Sequence, residues 1–155
     1  MSPDTLSEVV RQAGRSYVCI TGGEPLLQGV DLGILLATLH GLGVVIDIET
    51  NGTIDFTRFQ PYASICMDVK CPSSGEVSDL SLLAKIRPED SVKFVVKDEA
   101  DCRYAQEVMT AHGIAGDVFF SPVSGSEYEP IVNFVLTSNL PVRFQLQLHK
   151  IIGVP

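Results

Sequence analysis

Apolar and polar residues alternate with a period of two in four stretches of the chain. In residues 44–50 the apolar positions are 44, 46 and 48, opposite Asp47 and Glu49. In 65–70, Ile65, Met67 and Val69 oppose Cys66, Asp68 and Lys70. In 92–97, Val92, Phe94 and Val96 oppose Lys93 and Lys97; in 143–150, Phe144, Leu146 and Leu148 oppose Arg143, Gln145, Gln147 and His149. Successive side chains of a strand point to opposite faces. Each stretch therefore predicts a strand with one apolar face and one polar, charged face. These four strands are expected over 44–49, 64–70, 91–97 and 142–149, and two more over 17–21 and 117–121.

Helix signals fall between them. Residues 4–13 predict a helix with Asp4 as its cap, Leu6, Val9 and Val10 as its apolar stripe, and Gly14 as its stop. Residues 31–42 form a strongly apolar helix closed by Gly43, and 99–112 a helix ending at Gly113. Shorter helices are expected at 80–86 and 131–137, and Cys71-Pro72-Ser73-Ser74-Gly75 is a loop by every local signal. Strands and helices thus alternate six times, which implies right-handed crossovers, a parallel sheet and an α/β class.

The polar faces narrow the architecture. A closed eight-stranded barrel fills its interior with branched apolar side chains. Here carboxylates, lysines, an arginine and a histidine share one side, and burying such charges unpaired is very costly. A splayed, incomplete βα barrel with a polar lumen is the expected fold; an open sheet with one wet face is the competing one.

Composition sets the outer bounds. A chain of 155 residues predicts a single domain over 1–155, and 45% hydrophobic with 19% charged residues supports a sizeable core. The net charge of −8 argues against nucleic acid as a partner. No apolar run approaches the ~20 residues of a membrane span. Met1-Ser2-Pro3-Asp4 lacks the features of a signal peptide, so a cytoplasmic location is expected. The four cysteines, Cys19, Cys66, Cys71 and Cys102, then read as packing thiols. Their spacing matches no zinc or iron–sulfur pattern.

Ligands of parallel α/β proteins bind outside the carboxyl ends of the strands. The expected ends are Thr21-Gly22-Gly23-Glu24, Glu49-Thr50-Asn51-Gly52, Asp68-Val69-Lys70-Cys71-Pro72, Ser121-Pro122-Val123 and Gln147-Leu148-His149-Lys150. Glu24 suits an ammonium group, or simply favours the start of a helix. Gly52 leaves room for a flat ring. Lys70, Lys93, Lys97 and Arg143 could meet a carboxylate, and His149 could donate a hydrogen bond or act as acid or base.

Five motifs occur in order over residues 18–150: TGGEPLLQ, IETNGT, MDVKCPSSG, VKFVV and LQLHK. Together they resemble the 7-carboxy-7-deazaguanine synthases, radical S-adenosylmethionine (SAM) enzymes of deazapurine and queuosine biosynthesis. The resemblance implies a radical-SAM-type partial barrel. It also implies reductive cleavage of SAM at a 4Fe-4S cluster, with Mg²⁺ assisting, and conversion of 6-carboxy-5,6,7,8-tetrahydropterin to 7-carboxy-7-deazaguanine. Carried over to this chain, Gly22, Gly23 and Glu24 would hold the methionine end of SAM. Gly52, Asp68, Val69, Lys70, Ser121 and Pro122 would line the rest. Thr50 and the terminal Pro155 would touch the pterin. An electron donor such as flavodoxin or ferredoxin and a homodimer are implied as well.

One departure qualifies the match. The family holds its cluster on Cys-x-x-x-Cys-x-x-Cys upstream of Gly-Gly-Glu, whereas the 21 residues before Gly22 contain only Cys19. The expectation is therefore a partial barrel lacking its first strand and cluster loop, inactive in radical chemistry as it stands. Two other readings stay open: a cluster-free module binding SAM or a pterin, and a glycyl-radical-enzyme activase-type protein. MDVKCPSSG and LQLHK argue against the last.

Overall fold

The computed structural model describes residues 1–153, apart from the side chain of His149; Pro155 lies outside the described residues. Helix α1 (Pro3–Ala13) leads into strand β1 (Tyr17–Ile20), a 3₁₀ turn (Pro25–Gln28) and helix α2 (Gly29–Gly41). Strands β2 (Val45–Thr50) and β3 (Ser64–Lys70) follow, then 3₁₀ turns at Pro72–Ser74 and Leu80–Lys85. The chain continues through β4 (Ser91–Val96), α3 (Glu99–His112), β5 (Asp117–Pro122), α4 (Tyr128–Thr137), β6 (Val142–Phe144) and α5 (Leu148–Ile152).

All six strands are parallel and their order in the sheet is their order in the chain, β1 to β6. A doubly wound sheet reverses direction partway and covers both faces. Here the order never reverses, so crossovers of one hand place every connection on the same side. That leaves one face covered and the other open, the geometry of a partial barrel. Leu32, Leu35, Leu36 and Leu39 of α2 join Ile46 and Ile48, Ile65, Met67 and Val69, Val92, Phe94 and Val96, and Phe120 in one apolar core. The period-two reading of β2, β3 and β4 is observed: their apolar positions fill this core and Asp47, Glu49, Asp68 and Lys93 face the lumen.

Four local expectations are corrected. First, α1 is capped by Ser2, whose hydroxyl accepts from the Thr5 N–H at 3.3 Å, and not by Asp4. Pro3 then takes the first helical position, where its missing N–H costs nothing, and Asp4 sits in the first turn. Second, no helix joins β2 to β3; Phe56 and Phe59 from that loop are buried in its place. Third, 80–86 is 3₁₀ rather than α, with Asp79 accepting from the Ser81 N–H at 3.0 Å.

The fourth correction concerns the last strand, expected over 142–149 and found over three residues. The Gln145 N–H still bonds the Phe120 carbonyl at 3.0 Å. With Phe120 opposite Phe144, the next bond of a parallel ladder would run from residue 122 to the Gln145 carbonyl. Residue 122 is proline and has no N–H to give. The ladder stops there, and Leu148, which the alternation placed on a strand, starts α5 instead.

Candidate functional site

The Gly-Gly-Glu-Pro turn leaves β1 with Gly22 at φ 95° and Gly23 at φ 54°, left-handed conformations that side chains rarely adopt. Two such residues swing Glu24 back across the end of β2. Its carboxylate accepts from the Leu26 N–H at 3.0 Å, the Asn51 N–H at 2.8 Å and the Thr50 hydroxyl at 2.9–3.0 Å. Glu24 therefore caps the following 3₁₀ turn and ties it to the end of β2. This engages the Thr50 hydroxyl, and Thr50 is 2% exposed on the helix side of the sheet.

Gly52 follows at φ 69°, and a Cβ there would come within 2.4 Å of Met67 Cε. The room left by its missing side chain is filled by Met67, so no space for a ring remains on that side. The loop beyond β3 folds over this turn: the Ser78 hydroxyl bonds the Asn51 carbonyl at 2.8 Å, and the Asp79 N–H bonds the Gly52 carbonyl at 2.7 Å. Buried Asp101, in the first turn of α3, accepts from the Lys97 and Ser73 N–H groups and the Ser73 hydroxyl, anchoring the Cys71–Gly75 loop.

The lumen face carries a polar row across four strands. The Thr21 hydroxyl lies 3.5 Å from Glu49 Oε2, and Lys93 Nζ donates to Glu49 Oε1 at 3.1 Å. The same ammonium sits 3.2 Å from Asp68 Oδ1, in register on the neighbouring strand. That contact is an ion pair without hydrogen-bond alignment, so Asp68 Oδ1 is buried with no hydrogen-bond partner. Lys93 is 9% exposed. Burial alone would lower its pKa, but the Asp68 and Glu49 charges outweigh burial and raise it. Burial also raises the Asp68 carboxyl, with Lys93 opposing.

This row floors a cavity of about 390 Å³, closed on the far side by Ser121, Gln145, Gln147 and Lys150. Ser121 Oγ and Gln147 Oε1 are, like Asp68 Oδ1, buried without a hydrogen-bond partner. Buried polar atoms are nearly always paired, because an unpaired one costs about 1–3 kcal/mol. Ser121 Oγ and Gln147 Oε1 have no partner and Asp68 Oδ1 has only the Lys93 ammonium, so together they mark a place suited to a ligand with its own hydrogen-bonding groups. A second cavity of about 350 Å³ lies between α1, β1 and α2, but its walls are mainly apolar, including Leu6, Val10, Val18 and Leu32.

Several sequence candidates meet at the lumen cavity and others do not. Asp68 and Ser121 line it; Val69 and Pro122 are buried on the helix side, and Gly22 lines the apolar cavity. Lys70 pairs loosely with Glu76 at 3.8 Å. Arg143 pairs with Asp117, and Lys93 with its two carboxylates, so neither cation waits for a ligand carboxylate. Glu49 and Gln145 enter the site although neither was singled out for it. Their signal was in the sequence, because both fall on the polar side of the alternation.

Thiols contribute little here. Burial pushes Cys66, Cys71 and Cys102 up to about 12 and Cys19 up to about 11. Among the described residues no three His, Cys, Asp or Glu side chains are grouped to hold a metal ion. The described residues do not fit a 4Fe-4S cluster.

No protein-family model matches the chain. The 7-carboxy-7-deazaguanine synthase of Methanospirillum hungatei is 50% identical over 139 residues, covering 90% of this chain and 59% of that one. The synthase of Koribacter versatilis is 34% identical over 174 residues (100% and 77%), and that of Chlorobaculum tepidum 40% over 164 residues (100% and 74%). Among solved structures, QueE from Escherichia coli superposes with a TM-score of 0.71 at 24% identity, over 95% of this chain and 64% of that one. Streptococcus suis SuiB bound to S-adenosylmethionine superposes at 0.69 and 15% identity, over 95% and 42%. At these identities the superpositions show a shared fold. The chain spans about three fifths of the Methanospirillum relative's length.

Proposed function

The chain belongs to the 7-carboxy-7-deazaguanine synthase family, and from that premise we propose that its lumen binds S-adenosylmethionine beside a pterin, for conversion of 6-carboxy-5,6,7,8-tetrahydropterin to 7-carboxy-7-deazaguanine. The observation that supports this most directly is the convergence of Asp68 Oδ1, Ser121 Oγ and Gln147 Oε1 on one cavity. Two of these atoms only accept and the third can do either. They suit a ligand rich in donors, such as ribose hydroxyls or a ring amine. The carboxylates of Glu49 and Asp68 also suit a cationic sulfonium.

Bound SAM supplies the radical chemistry in this family; the chain's own residues bind and orient. Glu49 and Asp68 would accept from the ligand, Ser121 would donate or accept, and the Gly22-Gly23 turn would bring backbone groups close to the methionine end. Glu24 in this reading sets the shape of that turn, since three donors from the chain already occupy its carboxylate. Lys70, Gly52, Val69 and Pro122 would contribute through main chain or rim contacts. Thr50 reaches the pterin in this reading only if its hydroxyl turns away from Glu24. Mg²⁺, a flavodoxin- or ferredoxin-type reductant, a homodimer and a cytoplasmic location belong to the same reading. Among the described residues no helix is long and apolar enough to cross a membrane.

Titration calorimetry of the iron-free chain with SAM tests the binding claim. Saturable binding that is weakened by Ser121→Ala is expected. No heat up to millimolar SAM would sink the SAM assignment.

A further inference from the structure

Lys93 is the only cation in contact with both carboxylates at the lumen floor among the described residues, and nothing in its position requires it for packing. The strand register puts it between Asp68 on β3 and Phe119 on β5. Its stem crosses the floor to reach Glu49, two strands away on β2. An apolar residue on this open face would leave Asp68 and Glu49 without their shared cation. Burial without an opposite charge disfavours the ionised form of a carboxylate such as Asp68.

We propose, resting on the SAM-binding reading above, that Lys93 is a positioning residue: its ammonium, 3.1 Å from Glu49 and 3.2 Å from Asp68, holds both carboxylates at the cavity floor and favours the ionised form of Asp68, so that Asp68 acts as a ligand acceptor. The groups facing Lys93 are consistent with this role. From β3 come Asp68 and Cys66; from β2, Glu49 with Asp47 one row below; from β5, Phe119 and Ser121; and from beyond β6, Gln145, Gln147 and Lys150 at the rim. The Cys66 thiol stays neutral, because burial pushes it up to about 12. Lys150 is exposed and stands at the opposite side of the cavity, so it does not replace Lys93 as the partner of the floor carboxylates.

The sign of the effect follows from linkage. Removing an opposite charge within about 4–6 Å raises a carboxyl pKa by about one to three units. Asp68, already raised by burial, would then take up its proton at a higher pH than in the wild type. Ligand affinity that depends on the ionised form is kept at high pH and lost as pH falls.

SAM binding measured by calorimetry at pH 6, 7 and 8 tests this on the wild type, Lys93→Arg and Lys93→Met, alongside a ¹³C carboxyl NMR titration of Asp68. The wild type and Lys93→Arg should bind with affinity nearly flat in pH. Lys93→Met should bind roughly tenfold or more weakly at pH 6, the size of one lost charge-assisted hydrogen bond, and recover as pH rises. A purely structural lysine would lower the unfolding temperature but leave the pH profile flat. Wild-type affinity and a flat profile in Lys93→Met would overturn the proposal, as would an unmoved Asp68 titration. If Lys93→Met does not fold, Lys93→Gln decides: binding that weakens as pH falls, with a raised Asp68 titration, supports the role, and a wild-type profile refutes it. A wild type that does not bind SAM overturns the SAM reading alone, and the Asp68 titration still judges Lys93.

Discussion

Two ionic clusters sit in the same sheet and are finished to different degrees. At the amino ends of β3 and β4, Asp90 is 2% exposed and meets five donors. Its Oδ1 accepts from the Ile65 N–H and Arg87 Nη2, each at 2.9 Å. Its Oδ2 accepts from the Arg87 N–H at 2.9 Å, Arg87 Nε at 3.0 Å and Gln60 Nε2 at 2.9 Å. Gly116 closes the knot: a Cβ there would meet the Asp90 carbonyl at 2.2 Å. Burial would raise the Asp90 carboxyl, but Arg87 and the main-chain donors hold it below the ordinary range. At the lumen, Lys93, Glu49 and Asp68 are also close-packed and charged, yet Ser121 Oγ and Gln147 Oε1 beside them lack partners and Asp68 Oδ1 has only an unaligned ion pair. A cluster with every hydrogen bond made gives stability and has nothing left to offer a ligand. The unfinished one has traded stability for binding capacity.

The sharpest way to break this contrast is Asp90→Ala. It frees the buried Ile65 N–H and the Arg87 N–H and leaves the Arg87 guanidinium only the Gln60 and Ala63 carbonyls and Glu89, so a loss of about 3 kcal/mol is expected by urea denaturation. Because the native Asp90 pKa lies below its unfolded value near ~3.9, its stabilisation is present above that pH and is lost as pH falls through the native value. The variant should therefore show a shallower acid decline than the wild type. Where it remains folded, SAM binding should be unchanged; coupled loss of both would mean that the two clusters are one unit.

A smaller effect is expected at the Gly-Gly-Glu-Pro turn. Glu24→Ala removes the acceptor for two N–H groups and the Thr50 hydroxyl, costing about 1–3 kcal/mol of stability. The partly buried Leu26 and Asn51 donors should show faster amide exchange, and unaltered exchange there would contradict the geometry. The smallest stability change belongs to Ser121→Ala, which removes an atom that already lacks a partner. Its unfolding free energy should move by less than about 0.5 kcal/mol in either direction, while SAM affinity falls. A loss of 2 kcal/mol or so would show that Ser121 is tied into the fold after all.

Much of the molecule was legible beforehand, for identifiable reasons. The strands β2, β3 and β4 carry a strict period-two pattern, and one face of each must go into a core. Glycines at 14, 43 and 113 stop helices because each can take a left-handed conformation. The last strand misled because alternation persists over 143–150, whereas pairing depends on the neighbour: Pro122, on another strand, withholds the donor. Thr50 was a substrate candidate by motif position, but its hydroxyl belongs to Glu24, 26 residues away in sequence.

The sequence by itself determined the class of fold, the polar lumen face and the family, because periodicity and ordered motifs are local properties that survive without coordinates. Only the tertiary structure decided which polar residues complete the site. Strand register sets Lys93 beside Asp68 and its side chain reaches on to Glu49, and the partnerless atoms of Ser121 and Gln147 can be recognised only once every neighbour is in place. Satisfaction of a buried polar atom is a property of its surroundings in space, and those come from segments up to 79 residues apart in the chain.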